Sequence, residues 1–331
     1  MPEEKKHFHE DLDVIIIGAG PAGMSAGIYT ARKKLKTLVL SKDVGGQTAI
    51  SAEIENYLGY QTANGAELSA KFQEHVEKFD CIDIEVGEDK LVKEISGKPG
   101  DFLVETKAGE KFKSKVIIIA SGKNPRHMGV PGEIDFTGKG LTYCATCDAP
   151  LFKDKTVCVV GGGNSALDAA WQLTTIATKV YVLVRDAAFN TNADKVLFEK
   201  VEKAKNVEIK YQTSITEVVG EQLVTGVKII NKETNEDGEL EVQGVFVEIG
   251  SVPSIDYLKE GQMNLNQWNE IVIDKHHQTS IDGIFAAGDV TDVPGKQVII
   301  AAGEGALAAI AASTYLARNK LVVVSSDAYG G

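Results

Sequence analysis

Apolar residues along this chain fall into short runs that are bounded by glycines and polar turns. The run DVIII (13–17) ends at Gly18, residues 21–32 have a helical pattern, and KTLVL (36–40) is a second apolar run. A short apolar strand, a helix and another short strand are typical of a parallel sheet covered by helices. The pattern therefore predicts an opening β-α-β unit.

The same pattern restarts in the middle of the chain. TVCVV (156–160) predicts a buried strand, 164–176 a helix and KVYVLV (179–184) the next strand. Alternating strand-like runs follow each opening: those at 82–119 predict a small antiparallel insertion, and those at 207–249 predict a second one like it. An Ala/Gly-rich helix is expected at 297–317. The fold class is therefore α/β, with two Rossmann-like dinucleotide-binding domains of three layers, and with domain 125–251 inserted into a discontinuous domain of 1–124 and 252–331.

A glycine-rich turn joins the first strand to the first helix. It reads Gly18-Ala-Gly20-Pro21-Ala22-Gly23. The first glycine of such a turn permits a tight bend, the second lets a pyrophosphate approach the backbone, and the third lets the helix pack on the strand. The helix N-terminus then faces the phosphates. Because the motif lies between a strand and a helix, we expect a bound dinucleotide rather than an ordinary glycine turn.

A second glycine-rich turn follows TVCVV. It reads Gly161-Gly-Gly163-Asn164-Ser165-Ala166, where Ala166 still allows close helix packing. Two such turns in one chain imply two dinucleotides, which indicates a flavin and a nicotinamide.

Cys144 and Cys147 form a CxxC just before the second turn. This spacing lets two sulfurs pair and lowers the pKa of the attacking thiol. In a reducing cytosol it indicates redox catalysis or half of a metal site. Zinc requires four ligands, and Cys81 and Cys158 form no second CxxC, so we favour a redox pair and no metal. Cys158 is expected in the core, and Cys81 is expected to be inert.

Two aspartates have candidate roles. Asp148 follows Cys147 directly, where it suits either a proton relay for a leaving thiolate or an ordinary turn or helix-cap aspartate. Asp289 follows Gly288 in GIFAAGDV (283–290), where it suits either a cofactor hydroxyl or a strand-end turn. The histidines have no metal-ligand spacing and are expected to be surface or hydrogen-bonded residues: His7, His9, His75, His127, His276 and His277.

Composition narrows the class of protein. The formal net charge of −12 disfavours non-specific contact with nucleic acid or anionic membranes. No uninterrupted apolar run reaches the ~18 residues of a membrane span. The N-terminal MPEEKKHFHEDLD has no apolar signal-peptide segment. We expect a cytoplasmic protein that binds neither nucleic acid nor membrane.

A series of motifs occurs in one order along the chain: GAGPAG (18–23), GGQ (45–47), ENYLGY (55–60), IIIASG (117–122), YCATCD (143–148), GGGNSA (161–166) and FAAGDV (285–290). In this combination the chain resembles the low-molecular-weight thioredoxin reductases over nearly its whole length. TYCATCDAPLF and KQVIIAAGEGALAA also resemble the reductase portion of the alkyl hydroperoxide reductase flavoprotein subunit. We expect the N-terminal thioredoxin-like domains of that subunit to be absent, because only about twelve residues precede Asp13.

The resemblance implies an FAD-binding domain of 1–124 and 252–331, and an NAD(P)H-binding domain of 125–251 that carries the CxxC. It implies that Cys147 faces the flavin, that Cys144 attacks the partner disulfide and that Asp148 relays the proton. It also implies that the inserted domain rotates about hinges near 123–126 and 250–253. The cofactor-binding residues expected outside the two glycine turns are Gly46, Gln47, Asn56, Gly122, Arg185, Gly288, Asp289, Gln297 and Val298.

The expected function is a flavoprotein disulfide reductase. It would move electrons from NADH or NADPH through FAD and Cys144–Cys147 to a thioredoxin- or glutaredoxin-like protein, and the resemblance implies a homodimer. The alternatives are the reductase component of a peroxiredoxin system, a dithiol oxidase, and a redox-responsive binding protein without turnover. The intact CxxC, Asp148 and both glycine turns argue against the last alternative.

The loop after KVYVLV bears on the choice of nicotinamide. NADPH-dependent members of the family carry a His-Arg-Arg start and a further arginine for the 2′-phosphate. Here only Arg185 remains, Asp186 brings a negative charge, and Asn190 stands at the later position. An acid at this point can accept from the ribose 2′-hydroxyl of NADH. We expect no strong NADPH selectivity and a preference for NADH; the alternatives are that Arg185 with Lys195 suffices for NADPH, or that the donor is not a nicotinamide.

Overall fold

The computed structural model describes residues 11–51, 54–190 and 193–322, so His7 and His9 lie outside the described residues. The chain divides into two units. The first comprises Met1–Ala49, Tyr57–Asn124 and Val252–Gly331, and the second comprises Ile50–Asn56 and Pro125–Ser251. The grouping of Ile50–Asn56 with the second unit differs from the boundaries expected from the sequence, which placed these residues in the first domain. No motif in the sequence indicates this grouping.

The first unit opens with the predicted β-α-β arrangement. Its elements are β1 (Leu12–Ala19), α1 (Pro21–Arg32), β2 (Thr37–Val44), α2 (Gly65–Val76), β3 (Ile82–Val86), β4 (Val92–Lys98), β5 (Asp101–Thr106), β6 (Lys111–Ile119) and the start of β7 (Lys123–Pro125). After the second unit, the chain returns through β17 (Ile284–Ala286) and α6 (Val298–Arg318).

The central sheet of the first unit has the strand order β3-β2-β1-β6-β5-β4, and β17 also pairs with β6. β1, β2, β3 and β17 are parallel to their neighbours, whereas β4 and β5 form an antiparallel extension on β6. The N-terminal half of β6 pairs with β5 and its C-terminal half with β17, so one long strand serves both parts of the sheet.

The second unit repeats the parallel plan. Its elements are β8 (Leu141–Thr142), α3 (Ala145–Asp148), β9 (Thr156–Val160), α4 (Asn164–Thr174), β10 (Lys179–Leu183), α5 (Lys195–Lys203), β11 (Val207–Lys210), β12 (Thr213–Gly220), β13 (Val224–Asn231), β14 (Glu236–Glu241), β15 (Gly244–Val247) and the start of β16 (Ser251–Pro253). The parallel sheet has the order β11-β10-β9-β15-β8, and β12, β13 and β14 form a separate antiparallel sheet. The α/β class with parallel-sheet, Rossmann-like units is confirmed.

Among the described residues, α6 is the one helix that is long and apolar enough, by length and composition, to cross a membrane. The sequence predicted this helix at 297–317 but no apolar run of membrane-span length there, because Glu304 interrupts the run. One face of α6 is a core face, since Ala308, Ala309 and Ala312 are buried in the same cluster as Met24 of α1. The approach is close at Gly305, where a Cβ would lie 2.0 Å from the carbonyl oxygen of Ala22.

Candidate functional site

The first glycine turn leaves β1 and enters α1 with no room for side chains at two positions. Gly18 has φ +106°, and a Cβ there would lie 2.3 Å from the carbonyl oxygen of Ala120 on the neighbouring chain segment. A Cβ on Gly23 would lie 1.8 Å from the carbonyl oxygen of Gly18. These two glycines therefore allow the turn to close and α1 to pack on it.

Gly20 differs from both, because a Cβ there would meet only the carbonyl oxygen of Gly45, at 3.9 Å. The space in front of Gly20 is open. Gly20 is also the N-cap of α1 and provides no side-chain capping bond, whereas Asn64 caps α2 with its side-chain oxygen. Open space before uncapped helical amides is the arrangement that a pyrophosphate requires, so the residues fit the FAD expected here.

Two of the other residues expected to bind FAD, Gly46 and Gly288, lie beside this turn. A Cβ on Gly46 would lie 4.0 Å from Gly20, and a Cβ on Gly288 would lie 2.9 Å from Ala22. Gly122, at φ +67°, faces open space, while Gln297 is the N-cap of α6 and precedes Val298. Gln47 lies in the turn Gly46–Thr48. Asn56 falls in the segment grouped with the second unit, and its role stays a prediction.

Asp289 is a half-buried carboxyl group that follows β17. Burial raises its pKa, while the charges of Lys296 and Lys123 lower it. Both lysines share the carboxylate of Glu270, with Nζ–Oε1 distances of 2.5 Å for Lys123 and 3.6 Å for Lys296. Sequence reasoning missed this charged cluster, since its members are far apart in the chain.

The second glycine turn repeats the geometry of the first. A Cβ on Gly161 would lie 2.3 Å from the carbonyl oxygen of Glu248, and Ala166 in the first turn of α4 is fully buried. Gly163 is the N-cap of α4 without a side-chain capping bond, so the amides at Asn164 and Ser165 begin an uncapped helix. By contrast, Asp194 caps α5 through its carboxylate. The turn fits the nicotinamide dinucleotide expected there.

The loop after β10 carries Arg185. Its Nε lies 3.4 Å from a carboxylate oxygen of Asp186, and the two side chains are 73% and 61% exposed. The loop is tied to the glycine turn, because the Asn190 N–H donates to the carbonyl oxygen of Gly162 at 2.8 Å. Asp186 therefore competes for Arg185 beside the second dinucleotide turn.

Cys144 and Cys147 form a disulfide, with their Cα atoms 5.3 Å apart. Cys144 is the N-cap of α3, which spans a single turn, and both cysteines are partly exposed. Cys158 is fully buried in β9, as expected. The Cys81 thiol is half-buried and donates to the carbonyl oxygen of Ala31 at 3.4 Å.

Asp148 ends α3 directly behind the disulfide and is 7% exposed. Burial raises its pKa, and the hydroxyl of Thr142, which donates to Oδ2, lowers it. Oδ1 is buried with no hydrogen-bond partner among the described residues. Asp148 begins a 3-10 turn but makes no side-chain capping bond, which removes the helix-cap alternative. A buried carboxyl group with a raised pKa suits proton transfer.

Glu248 is a residue that sequence reasoning missed. It directly follows β15, and its Oε1 accepts the Ala145 N–H at 3.2 Å. Burial raises the pKa of Glu248 to about 7, with a further contribution from Asp168, while the bond from Ala145 lowers it. An acidic residue directly after a buried strand was the signal available in the sequence.

The histidines and other potential ligands form no metal site in the described part of the chain. His277 is buried, and its Nδ1 lies 3.2 Å from the carbonyl oxygen of Ala286, while His75, His127 and His276 are exposed. Within residues 11–51, 54–190 and 193–322, no group of three or more His, Cys, Asp or Glu residues is placed to hold a metal ion.

Residues 12–313 match the model of the pyridine nucleotide-disulphide oxidoreductase family. The chain is 42% identical over 94% of its length to an NADH dehydrogenase of Bacillus subtilis, and 41% identical over 95% to a subunit of the alkyl hydroperoxide reductase of Pseudomonas putida. In both cases the chain spans 60% of the length of its relative. The family resemblance expected from the motifs is confirmed.

Among solved structures, the chain is similar to a thioredoxin reductase from Streptococcus pyogenes. The TM-score is 0.87 at 35% sequence identity, and the match covers 94% of this chain and 100% of that protein.

Proposed function

Because the chain belongs to the pyridine nucleotide-disulphide oxidoreductase family, we propose that it is an FAD-dependent disulfide reductase of the thioredoxin reductase type. Family membership implies FAD and NAD(P)H as its cofactors. The observation that carries the proposal is the Cys144–Cys147 disulfide, with the buried carboxyl group of Asp148 directly behind it. A structural disulfide would not need an acid beside it with a raised pKa and an oxygen that has no partner among the described residues.

When bound, FAD would relay two electrons from the nicotinamide to the disulfide. The reduced Cys144 thiolate then attacks a disulfide in the partner and forms a mixed disulfide with one of its sulfurs, while the other partner sulfur is displaced as a thiolate and takes up a proton. Cys147 attacks the mixed disulfide, which reforms Cys144–Cys147 and releases the partner as a dithiol. Asp148 is the residue that would hold and transfer the proton beside these sulfurs.

We propose a thioredoxin- or glutaredoxin-like protein as the partner. A second candidate is a peroxiredoxin system, which is favoured by the similarity to proteins named as subunits of alkyl hydroperoxide reductase. We further propose a cytoplasmic homodimer that does not act on membranes.

We also propose that NADH is the preferred donor. The position of Asp186 beside Arg185 supports this, because its carboxylate, 3.4 Å from the Arg185 Nε, would compete with the 2′-phosphate of NADPH for that arginine and repel the phosphate. The relative from Bacillus subtilis is itself named NADH dehydrogenase. Losing two charge-assisted contacts of ~1.5–3 kcal/mol each costs about a hundredfold or more in NADPH preference.

The function is tested with single cysteine variants of the FAD-loaded protein. Cys144→Ser and Cys147→Ser should both abolish reduction of a thioredoxin-fold disulfide and keep reduction of FAD by NADH. Cys147→Ser should also trap a mixed disulfide through Cys144, because no resolving thiol is left. Cys81→Ser is the matched control and should retain turnover. Normal turnover by either CxxC variant would refute the proposal.

Two further experiments test the identity of the protein partner and the choice of nicotinamide donor. Supplying a peroxiredoxin with and without a thioredoxin-like carrier tells a direct peroxiredoxin reductase from a carrier-dependent one. The ratio of catalytic efficiencies for FAD reduction by NADH and NADPH tests donor choice. An NADPH advantage above about a hundredfold, or ~2.7 kcal/mol, would overturn the NADH preference.

A further inference from the structure

The parallel sheet of the second unit brings three loops to one edge. β8, β15 and β9 are adjacent and parallel, so the segments that follow them leave from the same side of the sheet. The Cys144–Cys147 segment follows β8, the second glycine turn follows β9, and Glu248 follows β15 between them. The Glu248 N–H donates to the carbonyl oxygen of Val160 at 2.8 Å, which fixes the backbone at this middle position.

Two backbone amides at Cys144 are held by side chains. The Cys144 N–H donates to Oγ1 of Thr142 at 3.1 Å. The next amide, that of Ala145, donates to Oε1 of Glu248 at 3.2 Å. One of the two acceptors is a neutral hydroxyl and the other is an ionisable carboxyl group. The Glu248 carboxyl group therefore lies one residue from the cysteine expected to attack the partner.

The surroundings of Glu248 make its charge variable near neutral pH. Its pKa is raised to about 7 by burial and by the negative charge of Asp168 on α4, against the opposing effect of the Ala145 amide. On α3, the titratable side chains that follow the Ala145 amide are those of Cys147 and Asp148. A carboxyl group in this position is neutral in mildly acidic solution and negatively charged in mildly alkaline solution.

We propose that Glu248 is a positioning residue for the redox pair, which holds the first amide of α3 and sets the reactivity of the reduced Cys144 thiol through its own charge. An ionised Glu248 disfavours a second negative charge on Cys144 and raises the pKa of that thiol. A protonated Glu248 keeps the contact with Ala145 without this penalty. The inference deepens the proposed disulfide reductase function and rests on it, because it concerns the same cysteine pair.

The step involved is the ionisation of one thiol. Reduction of Cys144–Cys147 by dithiothreitol transfers two electrons and two protons to give the dithiol, and dithiothreitol becomes a cyclic disulfide. The Cys144 S–H bond then breaks, its proton goes to solvent, and the thiolate remains as the nucleophile. Each unit by which the thiol pKa falls gives tenfold more thiolate, offset about threefold by lower nucleophilicity, so the net gain in rate is about threefold.

The test is the pH profile of Cys144 alkylation in the FAD-loaded protein. The pair is reduced with dithiothreitol, the reductant is removed without air, and iodoacetamide labelling of Cys144 is followed by mass spectrometry from about pH 5.5 to 9. Glu248→Gln keeps an oxygen that can accept the Ala145 N–H and removes the charge. Glu241→Gln, at an exposed carboxylate of β14 in the same unit, is the matched control.

We expect the wild-type and Glu241→Gln profiles to coincide and to be broadened by a second ionisation. The Glu248→Gln profile should show one ionisation at a lower pKa, with labelling at pH 7.5 about threefold or more faster. Asp168→Asn is the second variant. It lowers the pKa of Glu248 by removing a neighbouring charge, and should move the second ionisation to lower pH.

If Glu248 has a purely structural role, the alkylation profile of Glu248→Gln should coincide with that of the wild type. That result would overturn the inference. An unmoved second ionisation in Asp168→Asn would also overturn it. Failure of the proposed function appears elsewhere, as a cysteine pair that NADH or NADPH with FAD does not reduce. The alkylation profile uses dithiothreitol and does not depend on that outcome.

Discussion

Asp148 combines burial, a raised pKa and one carboxylate oxygen without a partner among the described residues, all beside the redox pair. Spacing alone left a proton relay and a helix cap equally open, because both need an aspartate after Cys147. The burial of its side chain depends on the packing of β8 and α3, which no local motif encodes. The structure gives the position of Asp148, and its role as a proton relay stays a prediction.

Asp148→Asn should slow thiol–disulfide exchange with the protein partner by roughly a hundredfold or more, because the amide cannot donate a proton as an acid does. The amide is isosteric and can still accept from Thr142, so the fold should be kept. Rapid-mixing kinetics would measure the exchange step, with the rate of FAD reduction by NADH as the internal control. Unchanged exchange would leave Asp148 as a structural residue.

Glu248 should also make stability depend on pH. Between its ordinary pKa of 4.5 and the value of about 7 in the folded protein, the unfolded chain has released a proton that the folded protein retains. The contribution of neutral Glu248 to the free energy of unfolding is therefore complete below about pH 4.5. It falls as the pH rises to about 7, and the free energy no longer changes with the ionisation of Glu248 above that pH.

Glu248→Gln should remove this dependence and stabilise the protein by about 1–3 kcal/mol at pH 8, with no gain near pH 4.5. Denaturant unfolding of the FAD-loaded protein at both pH values would measure it, with Glu241→Gln as the control. A gain of the same size at both pH values would show that the charge of Glu248 is not its cause.

At the scale of elements, glycines of the first glycine turn that look alike in the sequence have different structural roles. Gly20 faces open space, whereas Gly23 faces the carbonyl oxygen of Gly18. The same substitution is therefore expected to affect cofactor binding at Gly20 and the fold at Gly23.

Gly20→Ala should leave the fold intact and weaken FAD binding on the order of tenfold or more, because a methyl group would occupy the expected approach of the pyrophosphate. Gly23→Ala should destabilise the fold itself by about 1–3 kcal/mol, because α1 must move away from the turn. Flavin content after dialysis and unfolding by circular dichroism would separate the two effects. Equal flavin retention by Gly20→Ala and wild type would count against FAD at this turn.

Elements with a strong local signal matched the structure closely. α1 spans Pro21–Arg32 and β9 spans Thr156–Val160, as the apolar pattern and the flanking glycines predicted. The short helices α3 and α5 were not recognised, because α3 has one turn and α5 buries only Val201 completely. β3 was grouped with an antiparallel insertion but pairs in parallel with β2, since strand order depends on tertiary contacts that periodicity does not contain.

At the scale of the whole molecule, the exposed face of α6 is the feature that bears on assembly. Ile299, Ile300, Leu307 and Ile310 are 40%, 37%, 52% and 48% exposed. Their helical spacing places them on one apolar face opposite the buried alanines. Together with the family resemblance, this favours α6 as part of the interface of the proposed homodimer.

Leu307→Glu should convert the dimer to a monomer at micromolar concentration, because a buried, unpaired carboxylate would oppose association. Sedimentation velocity would measure the change. Val196→Glu, at a side chain 66% exposed on α5, is the matched control and should remain dimeric. A Leu307→Glu protein that stays dimeric would place the interface elsewhere, and a monomeric wild type would refute the homodimer.

The division of the first unit between the two ends of the chain has a consequence for biosynthesis. α1 leaves the ribosome early, but Gly305 and the buried alanines of α6 that cover it emerge only after the whole second unit. The second unit, formed mainly by the uninterrupted stretch Pro125–Ser251, can fold while translation continues. The first glycine turn must wait for α6. We therefore expect flavin loading to be a late event, and we expect the nascent chain to expose the apolar surface of α1 until α6 has emerged.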